Sequence, residues 1–175
     1  VAGGAGERMR GQGELSFEEY AAVHGRRLYR TAYLLCGDTH RAEDLAQTTL
    51  AKLFAHWRRA SRMEHLDAYT RTVLTRTFLG EQRRRAVARR LGLLASRPES
   101  SPGEDTDLRV TLMNALAELP VRARAMVVLR YWEDLSVETV ADLLDCSTGT
   151  VKSQCSRALA RLREQLGESY PYAAA

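Results

Sequence analysis

The sequence predicts an all-α fold: two small helical domains joined by a flexible acidic linker. Three observations lead there. Apolar residues return at three- and four-residue spacing in one segment after another, as helices with one buried face require. Cap and breaker residues separate the segments, and no persuasive alternating strand pattern occurs. From Ser96 to Asp107 the chain reads SRPESSPGEDTD, with two Pro, three Ser and four acids and almost nothing to bury. The expected divisions are a disordered tail over 1–15, a first domain over 16–95, the linker over 96–109, a second domain over 110–167 and a C-terminal tail over 168–175.

Each element has local reasons. The first 14 residues are rich in Gly and Arg and lack periodicity, so they read as a frayed tail. Ser16-Phe17-Glu18-Glu19 is a capping box. Behind it Phe17, Tyr20, Ala21, Leu28, Thr31, Ala32 and Leu35 form one helical stripe, ended by Cys36-Gly37-Asp38 with Gly suited to a left-handed terminus. Asp38 or Thr39 can cap a second helix whose apolar set is Ala42, Leu45, Ala46, Thr49, Leu50, Leu53, Phe54 and Trp57. A third helix runs from about Leu66 into an Arg cluster, with Tyr69, Val73 and Phe78 inward.

The second half opens with Val110, Leu112, Met113, Leu116 and Leu119 on a short helix broken by Pro120. The next helix carries Ala123, Met126, Val127, Leu129 and Arg130 and gives way to a turn at Trp132-Glu133-Asp134-Leu135. Ser136 caps a helix with Val137, Val140, Ala141 and Leu144 inward. After an interruption at Asp145 to Gly149, a last helix buries Val151, Cys155, Ala158, Leu159 and Leu162. Trp57 and Trp132 both fall on apolar stripes and read as core.

Composition narrows the function classes. The chain has 175 residues, 45% hydrophobic and 27% charged, ordinary for a soluble globular protein with enough chain for a real core. Its apolar runs fall far short of the roughly 20 residues needed to cross a bilayer. The N-terminal stretch has neither an apolar core nor a cleavage site, so no secretory signal is expected. Three cysteines without CxxC spacing argue against a disulfide framework and for a reducing cytoplasm. The marked preference of Arg over Lys is what GC-rich codon usage produces, which hints at a GC-rich bacterium.

Charge is uneven. Residues 1–95 hold 17 basic groups against 10 acidic ones, and the excess peaks at RRRAVARR, Arg83 to Arg90, a footprint expected for a polyanion partner. The most specific feature lies in 135–163, where two helices meet at a short turn containing Gly149, a helix-turn-helix. Opposite its apolar face, the second helix carries Thr148, Thr150, Lys152, Ser153, Ser156 and Arg157, crowded toward the N-terminal end. A helix entering the major groove needs this arrangement of short hydroxyl and cationic side chains.

These residues carry a family resemblance. Leu116 to Glu164, with RYWEDLS, GTVKS and SRAL within it, resembles domain 4 of bacterial sigma-70-type factors. HRAEDLAQTTLAKLFAHW, His40 to Trp57, is similar to the signature of their domain 2, and DAYTRTVLTRTFLGEQRRR, Asp67 to Arg85, to the next helix of that domain. Two domains and one acidic linker correspond to the small extracytoplasmic-function (ECF) group.

The resemblance implies a protein that binds core RNA polymerase and directs it to a promoter. Thr148, Thr150, Lys152, Ser153, Ser156 and Arg157 would read the −35 element as duplex. The connection from Ser61 to His65 and the start of the third helix would hold an extruded −10 base, with Arg62, His65, Arg71, Arg76, Thr77, Arg83, Arg84 and Arg85 along the strand. Glu43, Asp44 and Gln47 would dock on the clamp helices of the largest polymerase subunit, and the second domain on the flap of the second largest. Members of the group are commonly held inactive by an anti-sigma protein, so such a partner is implied. The linker would follow the template-strand and RNA-exit path. Where the family often has Asn, this chain has Arg76-Thr77, which points to an unusual −10 preference.

No Cys or His set has zinc spacing, and no phosphate loop, nucleophile elbow or paired-carboxylate site occurs. No metal, cofactor, catalysis or membrane insertion is therefore expected. The main rival is a free-standing dimeric regulator using the same helix-turn-helix, which would have no need of residues 40–85. A membrane-surface protein using the Arg83 to Arg90 stripe ranks last, since only Val87 and Leu91 to Leu94 offer apolar insertion.

Overall fold

The structure, a computed structural model, describes residues 15–93 and 107–167. The tails expected over 1–14 and 168–175 and the linker up to residue 106 lie outside the described residues. Every element among the described residues is helical.

α1 (Phe17–Cys36) starts where the sequence dictates: the Glu19 N–H donates to Ser16 Oγ at 3.1 Å and the Ser16 N–H donates to Glu19 Oε2 at 3.0 Å. It stops at Gly37, whose φ of 71° is left-handed and whose N–H closes on the Tyr33 carbonyl. α2 (Thr39–Ala55) is capped by Asp38, which accepts the Arg41 N–H at 2.8 Å. A single turn, α3 (Trp57–Ala60), leads to the long α4 (Leu66–Arg90).

α1, α2 and α4 pack through Leu28, Leu35, Leu45, Leu74 and Phe78, and a smaller cluster forms around Tyr20, Leu53 and Ala60. The buried Tyr20 hydroxyl ties α1 to the first turns of α4, donating to Asp67 Oδ1 at 2.9 Å and lying 2.8 Å from Thr70 Oγ1.

The inward face of α4 departs from the expected one. Phe78 is buried as expected, but its buried companions are Thr70, Leu74, Thr75 and Thr77, while Tyr69 and Val73 are half-buried. The expected stripe therefore misses Leu74 as well as three threonines, which read as polar. A threonine methyl packs like an apolar group; the Thr70 hydroxyl is satisfied locally by the Leu66 carbonyl at 3.0 Å, that of Thr77 by Lys52, and that of Thr75 is buried without a hydrogen-bond partner. Phe54, assigned to the apolar face of α2, is 60% exposed, with its ring edge-on to Phe17.

In the second half, α5 (Asp107–Ala117) begins three residues before the expected boundary. α6 (Val121–Val127) follows Pro120 and runs straight into a π-helical turn, Val128–Trp132. α7 (Val137–Leu144) is capped by Ser136, which accepts the Thr139 N–H at 3.0 Å. α8 (Thr148–Gly167) buries Val151, Cys155, Ala158 and Leu162 and packs across α5, α6 and α7.

The two halves do not stand apart. One buried cluster runs from Leu28, Leu35, Leu74 and Phe78 through Met126, Val128 and Leu129 to Val140, Leu144 and Val151. A second, built on Met113, Leu116, Leu119, Ala158 and Leu162, is flanked by Tyr33 and Leu34 of α1. Trp132 lies at the seam and not in a core: it is 44% exposed, and its indole N–H donates to Thr31 Oγ1 at 3.0 Å. Among the described residues no helix is long and apolar enough to cross a membrane.

Cys36 and Tyr20 are both buried, and burial pushes each of them up to about 12. Their ordinary values are 9.0 and 10.0, so above these the unfolded chain gives up protons that the folded chain keeps. The unfolded state then binds fewer protons, and stability falls as pH rises from there toward 12. The urea midpoint should drop between about pH 8 and about pH 10.5, and drop less in Cys36→Ala. Equal drops in both proteins would contradict the account of the thiol.

Candidate nucleic-acid and partner interfaces

The helix-turn-helix is assembled from α7, a tight turn and α8. The turn is Asp145–Ser147, and Gly149 lies inside the first turn of α8 and not in the connection. Asp145 makes the turn with a left-handed φ of 50°, a conformation that Asp tolerates better than most residues. Arg122 supports this corner from α6 by donating to the Leu144 carbonyl at 2.5 Å.

Ser147 caps α8: its Oγ accepts the Thr150 N–H at 3.1 Å and sits 2.9 Å from the Thr150 hydroxyl. The six side chains expected to face a major groove, Thr148, Thr150, Lys152, Ser153, Ser156 and Arg157, are all exposed, while the opposite face of α8 is buried. Thr150 and Ser153 hold the helix start together, since Ser153 Oγ donates to the Thr150 carbonyl at 3.1 Å.

Beside this face runs a groove of about 320 Å³ lined by Arg130, Lys152, Ser156 and Arg163. The sequence places Arg130 on the helix after Pro120 without a role. Its guanidinium turns back along the π-helical turn to the Leu135 carbonyl and so reaches the groove wall. Arg163 follows Lys152 on the same side of α8, so helical spacing places it there, while Arg130 reaches the groove from the π-helical turn.

The eight residues expected along the −10 strand divide into two groups. Arg62, His65, Arg76, Arg83 and Arg84 are exposed. His65 heads α4 without a side-chain cap, which leaves the first-turn amides of that helix open. Arg76 and Arg83, seven residues apart, share one face of α4. The other three are engaged. Arg85 pairs with Glu81 at 3.5 Å, and Arg71 lies 3.8 Å from Glu133. Thr77 corrects the expectation for it: it is buried and accepts from Lys52 Nζ at 3.0 Å, so its hydroxyl braces α2 against α4.

Glu43, Asp44 and Gln47 are exposed on α2, opposite the buried Leu45, Ala46, Thr49 and Leu53. Phe54 continues their stripe seven residues after Gln47. Because Asp38 already caps α2, the two acids sit beyond the turn where the helix dipole would favour them.

The seam holds a polar cluster that the sequence did not reveal. Glu133 was assigned to a turn; its side chain is 3% exposed. Its Oε2 lies 3.0 Å from Arg27 Nη2 and its Oε1 accepts from the Thr31 hydroxyl at 2.5 Å. A carboxylate this deep needs hydrogen-bond and cationic partners, and here it has both. Farther along the seam, Arg124 of α6 donates to the Leu35 carbonyl at 3.1 Å, and Arg41 donates to the Cys36 carbonyl at 3.4 Å. Both cations sit on the negative end of α1. Burial first, and then the neighbouring Arg41, push the Arg124 guanidinium down from its ordinary value. No group of three or more His, Cys, Asp or Glu side chains among the described residues is placed to hold a metal.

Comparison with known proteins places these surfaces in context. Residues 21–88 match the family model for sigma-70 region 2, and residues 109–162 match that for sigma-70 region 4. The chain is 40% identical over 157 residues to the RNA polymerase sigma-E factor of Streptomyces coelicolor, covering 87% of this chain and 86% of that one. It is 32% identical over 156 residues to the ECF RNA polymerase sigma factor SigM of Mycobacterium tuberculosis, covering 87% and 78%. Its fold resembles the sigma factor RpoE of Bartonella quintana, solved in complex with the anti-sigma factor NepR. The TM-score is 0.69 and the identity 29%, over 86% of this chain and 96% of that one.

Proposed function

The chain belongs to the sigma-70 family of RNA polymerase sigma factors, in its extracytoplasmic-function group, and from that membership we propose how its surfaces divide the work of promoter-specific transcription initiation. A sigma factor is the specificity subunit of the polymerase, so what this chain contributes is binding and positioning.

α8 reads the −35 element. The single observation that carries this is the sorting of α8 into a buried apolar face and an exposed face of hydroxyls, Lys152 and Arg157. The side chains nearest its N-terminal end reach base edges, as in other helix-turn-helix proteins. Arg130 and Arg163, in the groove alongside, hold the phosphates that fix the register.

The −10 element lies along α4. Its open N-terminus, headed by His65 with Arg62 before it, takes the extruded base, and Arg76, Arg83 and Arg84 follow the strand. Separating the strands costs stacking energy, which an electropositive groove and a base pocket return. Thr77 has a bracing part only. The base specificity that an Asn would have supplied therefore falls to Arg76 and the residues around His65. Arg71 and Arg85 join the strand only after giving up their present carboxylate partners.

The exposed stripe of Glu43, Asp44, Gln47 and Phe54 on α2 docks on core polymerase, at the clamp helices of the largest subunit. The second half meets the flap of the second largest. Asp38 already satisfies the start of α2, which supports a partner for the two acids. A partner of the anti-sigma class would cover the same two surfaces; the Bartonella sigma factor of similar fold was solved with such a protein. Such a protein works in the cytoplasm.

Lys152→Glu combined with Arg157→Glu should abolish selection of promoters recovered by transcript-end sequencing, with core binding unchanged. Loss of core binding as well would contradict the assignment of that face. Truncating Arg130 or Arg163 singly should lower the salt slope of duplex binding by about one unit per lost phosphate contact. On the other surface, Asp44→Ala with Gln47→Ala should weaken the complex with core polymerase by about tenfold, read by competition against a labelled wild-type chain. Undiminished affinity would return these residues to ordinary solvated polar groups.

A further inference from the structure

Arg71 is asked to do two things. On the reading above it contacts the −10 strand, yet in the closed chain it faces Glu133 of the second half. A carboxylate and a phosphate offer a guanidinium the same chemistry, two oxygens sharing a negative charge. We infer that Glu133 is an interdomain latch that competes in cis with the −10 strand for Arg71. This inference rests on the −10 reading.

The latch is lopsided. Glu133 is held firmly by Arg27 at 3.0 Å and by the Thr31 hydroxyl at 2.5 Å, while the adjoining Trp132 indole N–H donates to the same hydroxyl at 3.0 Å. Its hold on Arg71 is looser, 3.8 Å from Nη1, and Arg71 Nε is buried without a hydrogen-bond partner. The shortfall continues along the seam. Among the buried side-chain atoms without a hydrogen-bond partner are Arg71 Nε and Arg124 Nε, both of guanidinium groups that reach across the seam. Each is a donor whose desolvation the closed form leaves uncompensated.

The seam is thus closed by apolar packing and by the Glu133 anchor, against the cost of under-satisfied guanidinium groups. A surface that separates the halves releases those groups to water, and a phosphate can then satisfy Arg71 fully. The free chain is closed and binds the −10 strand weakly; docking on polymerase opens it.

The test uses the full chain and two readouts. Small-angle X-ray scattering gives the radius of gyration. Fluorescence anisotropy gives the affinity for a fluorescein-labelled single-stranded oligonucleotide of about 12 nucleotides, a site size such grooves cover. Glu133→Gln removes the charge with little change of shape. Asp134→Asn makes the same charge change at the exposed neighbouring residue and controls for net charge. Arg27→Gln loosens the anchor without touching Glu133 or the residues assigned to the strand.

The latch predicts a radius of gyration larger by several ångström in Glu133→Gln and Arg27→Gln. It also predicts about tenfold tighter strand binding in Glu133→Gln than in Asp134→Asn, a gain that Arg71→Ala removes. Unchanged radii, with strand affinity equal to that of Asp134→Asn, would overturn it. Expanded chains that gain no strand affinity would overturn the competition for Arg71. If Arg71→Ala then leaves strand binding unchanged in the open form, the failure lies in the −10 reading and not in the latch.

Discussion

Helix α1 has to bury side chains on two sides at once, and the rest of the arrangement follows from that. Leu28, Ala32 and Leu35 join the cluster shared with α2 and α4, while Tyr33 and Leu34 pack against the apolar residues of the second half. A helix with two buried sides cannot be covered by one small domain. The second half supplies the missing cover, and the polar groups trapped at the contact then need partners. Glu133 meets Arg27 and Thr31, and Arg124 meets the last carbonyls of α1. The Tyr20 hydroxyl and the left-handed Gly37 fix the two ends of α1, so α4 and α6 are set relative to each other through it.

This geometry separates the functional surfaces by chemistry. The hydroxyl and cationic face of α8 points away from the seam, as does the acidic and aromatic stripe of α2. The basic residues of α4 are divided instead. One set is open and another, Arg71 and Arg85, is held by carboxylates. Arg71, proposed above for the −10 strand, is thus the one of these residues that faces an acid of the other half.

Local features were legible in the sequence. The Ser16 capping box, the Asp38 and Ser136 caps, the Gly37 terminus and the two-faced α8 all depend on neighbours within a turn or two, and all are present in the structure. The six −35 candidates and the α2 trio could be named because exposure on an amphipathic helix follows from spacing alone. What escaped depends on distant packing or on residues of mixed character. Thr70, Thr75 and Thr77 are buried although threonine reads as polar, and Trp132 is half-exposed although tryptophan reads as core. Glu133 is acidic by type and sits between helices, so no periodicity marks it as buried; the approach of α1 and α4 makes it so. The turn of the helix-turn-helix is made by Asp145 in the left-handed conformation and not by Gly149, since Asp also tolerates that conformation.

The most direct test of the account is run-off transcription with the purified chain, core RNA polymerase and sheared genomic DNA, with transcript ends sequenced. The account predicts transcripts that require the chain and start downstream of a shared pair of spaced −35 and −10 elements. Specific duplex binding by the chain alone, with no transcript that depends on it, would contradict the account and favour a regulator that acts without polymerase.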